Sequence, residues 1–154
     1  MPNQMIVTEL RPELIRTRLQ ATTKQEAIDE LVSILEAAGE LEDSEDARQA
    51  VLKRESTMST GMENGIAIPH GKTDSVSSLK VAMGLKPEGI DFDSADGEPS
   101  RILLMTVSPA SRSGPHLRFM AEVSMLLRSA SVREALLQTE TPEAALDVLR
   151  GAGR

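Results

Sequence analysis

The chain has 154 residues, 40% of them hydrophobic and 27% charged, with a formal net charge of −7. That length suits a single globular domain over residues 1–154 with a sizeable core. The acidic balance argues against a nucleic-acid backbone or an anionic membrane as the main partner, and the absence of cysteine removes disulfides, thiol catalysis and thiolate metal sites. With two phenylalanines and neither tryptophan nor tyrosine, the core must be built from Leu, Ile, Val, Met and Ala, the eight methionines serving as adaptable fillers. No aromatic platform is offered to stacked bases. No signal-peptide pattern opens the chain, and no apolar run approaches the roughly 20 residues of a membrane helix. A soluble cytoplasmic protein is expected.

In chain order, a short extended piece is expected near Leu14-Ile15-Arg16. Thr22-Thr23-Lys24-Gln25-Glu26 can form a capping box, opening a helix with Ala27, Ile28, Leu31, Val32, Leu35 and Ala38 on one face and Gly39 as its stop. Ser44 is the expected cap of a second helix running to about Met58. Turn chemistry in Gly61-Met62-Glu63-Asn64-Gly65 precedes a buried strand, Ile66 to Ile68, which ends at Pro69 or continues along a sheet edge. Further strands are expected at Leu79–Leu85, at Asp91-Phe92-Asp93 and, apolar on both faces and therefore central, at Ile102–Val107. Helices follow from Pro115 to about Arg128, from Ser131 (capping box with Glu134) to Gln138, and from Thr141 to Leu149 with Pro142 in its first turn. The alternation describes an α/β layered domain, helices against a sheet.

Three residues stand out. His70 and His116 are the chain's two histidines. Strand alternation puts Ile66, Ile68 and His70 on one face, so an imidazole stands at the mouth of a strand beside Gly71, which permits close approach. His116 falls in the first turn of a helix, where backbone N–H groups are unpaired, an anion is welcome and an imidazole's pKa is lowered. Arg54 falls within the inward stripe of the second helix, Ala47, Ala50, Val51 and Met58, where a guanidinium needs a partner or an anion. Each has a plain reading: a turn histidine, an exposed helix-start histidine, an arginine that snorkels to the rim. Rival chemistries are weak. The histidines lack zinc spacing, no G-x-S-x-G follows a strand, Asp91 and Asp93 are paired with no sugar-sized cleft, and no nucleotide-type glycine loop is present. What survives is an anion site with a nucleophilic imidazole at its centre.

"KREST", then "STGMENGIAIPHGK", then "SPASRSGPHLRFMAEVSMLL" resemble the type-2 (fructose–mannitol) enzyme IIA domain of the bacterial phosphotransferase system, from about Ile6 to Leu149. The resemblance implies an α/β sandwich with a mixed sheet flanked by helices. It implies that His70 accepts a phosphoryl group from the phosphocarrier HPr and passes it to a cysteine of an enzyme IIB domain, assisted by His116 and Arg54. No metal or other cofactor is implied. A nitrogen-regulatory branch of the family resembles the chain equally well; there, phosphorylation switches the binding of other proteins and no sugar need move. The absence of a fused IIB, IIC or HPr segment tilts the expectation slightly toward that branch. The expected docking face lies around Met58, Met62 and the Ser108–Gly114 loop.

Overall fold

A computed structural model describes residues 8–152; Ile6, where the resemblance begins, lies outside the described residues. A 3-10 turn at Pro12–Leu14 leads into β1 (Ile15–Arg16), followed by α1 (Lys24–Ala37) and α2 (Ser44–Thr57). Thr23 caps α1 by accepting the Glu26 N–H at 3.2 Å, while the Glu26 carboxylate reaches back to the Thr22 N–H and hydroxyl at 3.0 Å each. Gly39, at φ +75°, closes the helix: its N–H bonds the Glu36 carbonyl and the Glu40 N–H bonds that of Leu35. Asp43 rather than Ser44 caps α2, its carboxylate accepting the Asp46 N–H at 3.0 Å; the negative charge suits the positive helix end.

A five-stranded mixed sheet forms the middle layer. Its strands after β1 are β2 (Ile66–Ala67), β3 (His70–Lys72), β4 (Lys80–Ile90) and β5 (Ser100–Ser108). β5 is central, antiparallel to β4 on one side and parallel to β2 and β3 on the other, while β1 runs parallel to the far side of β4. Pro69 does not end the edge strand: Ile66 pairs with Ile102 before it and His70 with Thr106 after it, in unchanged register. β4 runs past the expected Leu85 to Ile90 through a register shift, where Gly89 takes φ +88°. Asp91–Asp93 is not a strand. Asp93 has φ +54° and its N–H bonds the Asp91 carboxylate at 2.9 Å, an Asx turn that buries Phe92 completely. The remaining helices are α3 (Gly114–Leu126), α4 (Ala130–Leu137) and α5 (Pro142–Ala152). Ser129, not Ser131, caps α4 by accepting the Val132 N–H. Thr141 accepts the Ala144 N–H at 3.1 Å at the start of α5.

Helices cover both faces of the sheet. α2 crosses β3 so closely that a Cβ at Gly71 would meet the Val51 nitrogen at 2.7 Å, so only glycine admits the helix. Alternation turns His70 to the opposite face, toward α3. Ile66 and Ile68 look the same way, lining a shallow depression with Val123 and Leu127. The core between the layers is aliphatic, as the composition requires: Leu31, Leu35, Val51, Met83, Leu103 and Met105 are buried, with Phe119 on the α3 side. Among the described residues no helix is long and apolar enough to cross a membrane.

Candidate functional site

At the β3 edge of the sheet, α2 from one face and α3 from the other frame a cleft of about 540 Å³, with His70, Gly71 and Lys72 as its floor. α2 contributes Ala50, Lys53, Arg54 and Thr57, and α3 contributes His116 and Leu117. The three residues singled out in the sequence therefore line one cavity. His70 and His116 face one another with ring centroids 4.8 Å apart and planes inclined by 34°.

The hydrogen bonds orient both rings. His70 Nδ1 lies 2.9 Å from the carbonyl oxygen of Ile68. A carbonyl only accepts, so in the neutral ring Nδ1 carries the proton and the lone pair resides on Nε2. His116 Nδ1 lies 2.9 Å from Thr106 Oγ1. Thr106 is fully buried in β5 and is also the cross-strand partner of His70, so one residue sits beneath both imidazoles. Burial pushes the His116 pKa down to about 4, with electrostatic contributions from His70 and Lys72 in the same direction. The direction matches the sequence expectation, but burial rather than the helix end is the leading cause. His116 is therefore neutral near pH 7. The Thr106 hydroxyl, which can donate to Nδ1 or accept from it, holds the ring in place.

Arg54 is half-buried, and its Nη1 donates to the Met58 carbonyl at 2.8 Å. It does not belong to the inward stripe of α2. Ala47 and Val51 are buried as expected and Ala50 is half-buried, but the third buried position is Glu55, and Met58 is 69% exposed. The cause is local: the helix stops at Thr57, and Met58, at φ −165° and ψ 136°, has already left the helical wheel. Sequence reasoning also missed Lys53 and Lys72, whose charges join Arg54 around the cleft, and Thr106. A threonine inside an otherwise apolar central strand was the available signal for the last.

Among the described residues no carboxylate lines this cleft, although the chain as a whole is strongly acidic. Among the described residues no cluster of three or more histidine, aspartate and glutamate side chains could hold a metal ion. Two imidazoles and three cations facing one cavity suit an oxyanion.

On this fold, then, two histidines and three cations share one cleft. The chain belongs to the family described as phosphoenolpyruvate-dependent sugar phosphotransferase system, EIIA 2, whose profile matches residues 9–151. Proteins of that family are carriers in phosphotransfer. Among its relatives, the fructose-specific EIIA component of Haloferax volcanii is 40% identical over 89% of this chain and 89% of its own length. The fructose-specific EIIABC component of Bacillus subtilis is 36% identical over 94% of this chain, which spans only 23% of that longer protein. Among solved structures, the nitrogen regulatory protein IIA-Ntr of Neisseria meningitidis has a TM-score of 0.86 at 26% identity, covering 95% of this chain and 99% of its own. Enzyme IIA mannitol of Escherichia coli, in complex with phosphorylated enzyme IIB mannitol, has a TM-score of 0.79 at 28% identity, covering 92% and 97%.

Proposed function

We propose that the chain is a cytoplasmic, single-domain phosphocarrier in which His70 Nε2 accepts a phosphoryl group from a phosphorylated HPr-like protein and donates it to a cysteine of an enzyme IIB domain. The observation that carries the reading is the Nδ1 contact to the Ile68 carbonyl, which leaves the nucleophilic lone pair on the other ring nitrogen. In the forward step that lone pair forms the N–P bond in line as the donor's own N–P bond breaks, and the donor imidazole leaves with the electron pair. The phosphoryl oxygens take hydrogen bonds from His116 Nε2–H and Arg54, with Lys53 and Lys72 supplying a positive field. The missing side chain of Gly71 makes room for α2 against β3 and not, as the sequence suggested, for an approaching partner. In the second step a thiolate attacks the same phosphorus and the His70 N–P bond breaks. Neither step calls on a metal or cofactor of this chain.

The enzyme IIA–IIB mannitol complex among the similar structures supports an enzyme IIB acceptor. A second reading draws on the high structural similarity to IIA-Ntr over nearly all of that protein's length: a module whose binding of regulatory targets is switched by phosphorylation of the same His70.

Mixing the protein with phosphoenolpyruvate, enzyme I and HPr tests both readings by intact-mass spectrometry. The expected result is a single acid-labile phosphoryl increment, absent from His70→Ala. No increment on the wild type, or an increment that survives in His70→Ala, contradicts the assignment. Discharge by an enzyme IIB domain then favours the transport reading, and a phosphoprotein that no enzyme IIB discharges favours the regulatory one.

A further inference from the structure

Glu55 stands where a carboxylate is out of place. It lies in the last turn of α2, where the helix dipole disfavours negative charge, and it is only 7% exposed. Its contacts are those of an ionised group. One carboxylate oxygen lies 3.0 Å from Lys24 Nζ and accepts the Thr60 N–H at 2.9 Å; the other accepts the Thr60 hydroxyl at 2.5 Å. Lys24 also meets the Asp93 carboxylate at 3.2 Å and lies over the Phe92 ring, 5.4 Å from its centroid. Burial alone would lower the Lys24 pKa, but the bonds to Glu55 and Asp93 outweigh it and leave the ammonium raised.

This knot lies beside the cleft and is joined to it through the backbone. α2 ends without a glycine cap, so side chains fix the turn that follows. Ser59 donates its hydroxyl to the Phe92 carbonyl and accepts the Gly61 N–H at 2.9 Å. Glu55 holds Thr60 at both its N–H and its hydroxyl. Two residues before Thr60, the Met58 carbonyl holds the Arg54 guanidinium. A shift at Thr60 therefore carries the Met58 carbonyl with it, and Arg54 follows.

We propose that Glu55 is a positioning residue for Arg54: by pinning Thr60 it fixes the turn after α2, whose Met58 carbonyl holds the guanidinium at the cleft. Its effect on rate rests on the phosphoacceptor reading of His70; its effect on Arg54 does not.

Two variants of the full chain separate positioning from mere stability. Lys24→Met leaves Glu55 buried without its cation but keeps the Thr60 bonds. The double variant Lys24→Met/Glu55→Met replaces the ion pair by apolar side chains of similar length, a change that buried pairs commonly tolerate, and removes the Thr60 bonds. The double variant should melt at the same or a higher temperature than Lys24→Met. Yet its phosphorylation rate at saturating phospho-HPr should fall about tenfold, with half-saturation changed by less than about twofold, while Lys24→Met stays within about twofold of wild type. In an Arg54→Ala background, adding Glu55→Met should cost less than about twofold, because its effect runs through Arg54. Equal fold-losses with and without Arg54, or a rate that follows the melting temperature, would overturn the proposal. Side-chain ¹H–¹⁵N spectra of Arg54 decide the geometry without any phosphoryl donor. Signals displaced in the double variant and unmoved in Lys24→Met support it, and signals unmoved in both overturn it. A wild type that takes no phosphoryl group would overturn the His70 assignment, with the Arg54 spectra still deciding the role of Glu55.

Discussion

Two charged depressions on this molecule make a useful contrast. One, of about 220 Å³, lies between the segment before β1 and the start of β4 and is lined by Glu9, Arg11, Glu40 and Lys80. There the charges answer one another: Glu40 bonds Arg11 at 2.5 Å and Lys80 at 3.1 Å, and its pKa is lowered by Arg11 first and Lys80 second. The other is the His70 cleft, lined by Lys53, Arg54 and Lys72 with no carboxylate among them. Paired charge of the first kind holds segments together. Cations gathered without acids, in a chain of net charge −7, raise the electrostatic cost of the apo state and lower that of an arriving anion. The difference separates a structural cluster from a site.

The largest expected effect comes from removing the guanidinium at the cleft. Arg54→Ala should lower the rate of His70 phosphorylation by about 10²-fold while changing stability by less than about 0.5 kcal/mol, since its protein contacts are the Met58 carbonyl and, weakly, the Thr57 hydroxyl, both near the surface. Parallel transfer kinetics and urea unfolding check both halves. Thr106→Val should follow, at about tenfold in rate and about 1–2 kcal/mol in stability, because it frees the His116 ring and leaves Nδ1 buried without its hydrogen-bond partner. If Thr106→Val destabilises the protein but leaves the rate untouched, His116 takes no part in holding the phosphoryl group.

The third expectation is a pH dependence. His116 is held neutral, with its pKa lowered from 6.5 to about 4, chiefly by burial. Between those values the unfolded chain binds a proton that the folded one refuses, so stability falls as pH drops from about 6.5 toward 4. Discounted for partial solvent screening, the loss is about 1–2 kcal/mol. Urea unfolding at both ends of that window reads it, and His116→Gln should remove this contribution. The smallest effect belongs to the paired cluster. Glu40→Gln should cost up to about 1 kcal/mol and leave phosphorylation unchanged; a change in rate would break the distinction between the two depressions.

The α/β alternation, the central strand and the two histidines that meet in the cleft were legible in the sequence, because each rests on a local signal: apolar periodicity, a capping residue, a histidine where strand or helix chemistry exposes it; Arg54 reaches the same cleft, though not from the inward stripe that singled it out. What escaped was set by tertiary geometry. Pro69 left two outcomes open, a strand end or an edge, and only the pairing with β5 decides between them: register holds from Ile66 to His70 across a gap in the ladder. Asp91–Asp93 alternates like a strand, but the Asp91 carboxylate folds it into a turn over Phe92. The helical wheel favoured Arg54 and Met58 over Glu55, because it extended α2 one residue beyond the point where the chain turns out. A carboxylate satisfied by Lys24 and Thr60 leaves no trace in hydrophobic periodicity, and neither does the pairing of Thr106 with His116.

The central claim is that the Ile68 carbonyl selects the nitrogen of His70 that does the chemistry. Long-range ¹H–¹⁵N spectra of uniformly labelled protein, recorded before and after phosphorylation by phosphoenolpyruvate, enzyme I and HPr, test it directly. The account predicts that the phosphoryl group resides on His70 Nε2, with Nδ1 still protonated and the His116 ring neutral in both states. Phosphorylation at Nδ1, or at His116 in place of His70, would contradict it.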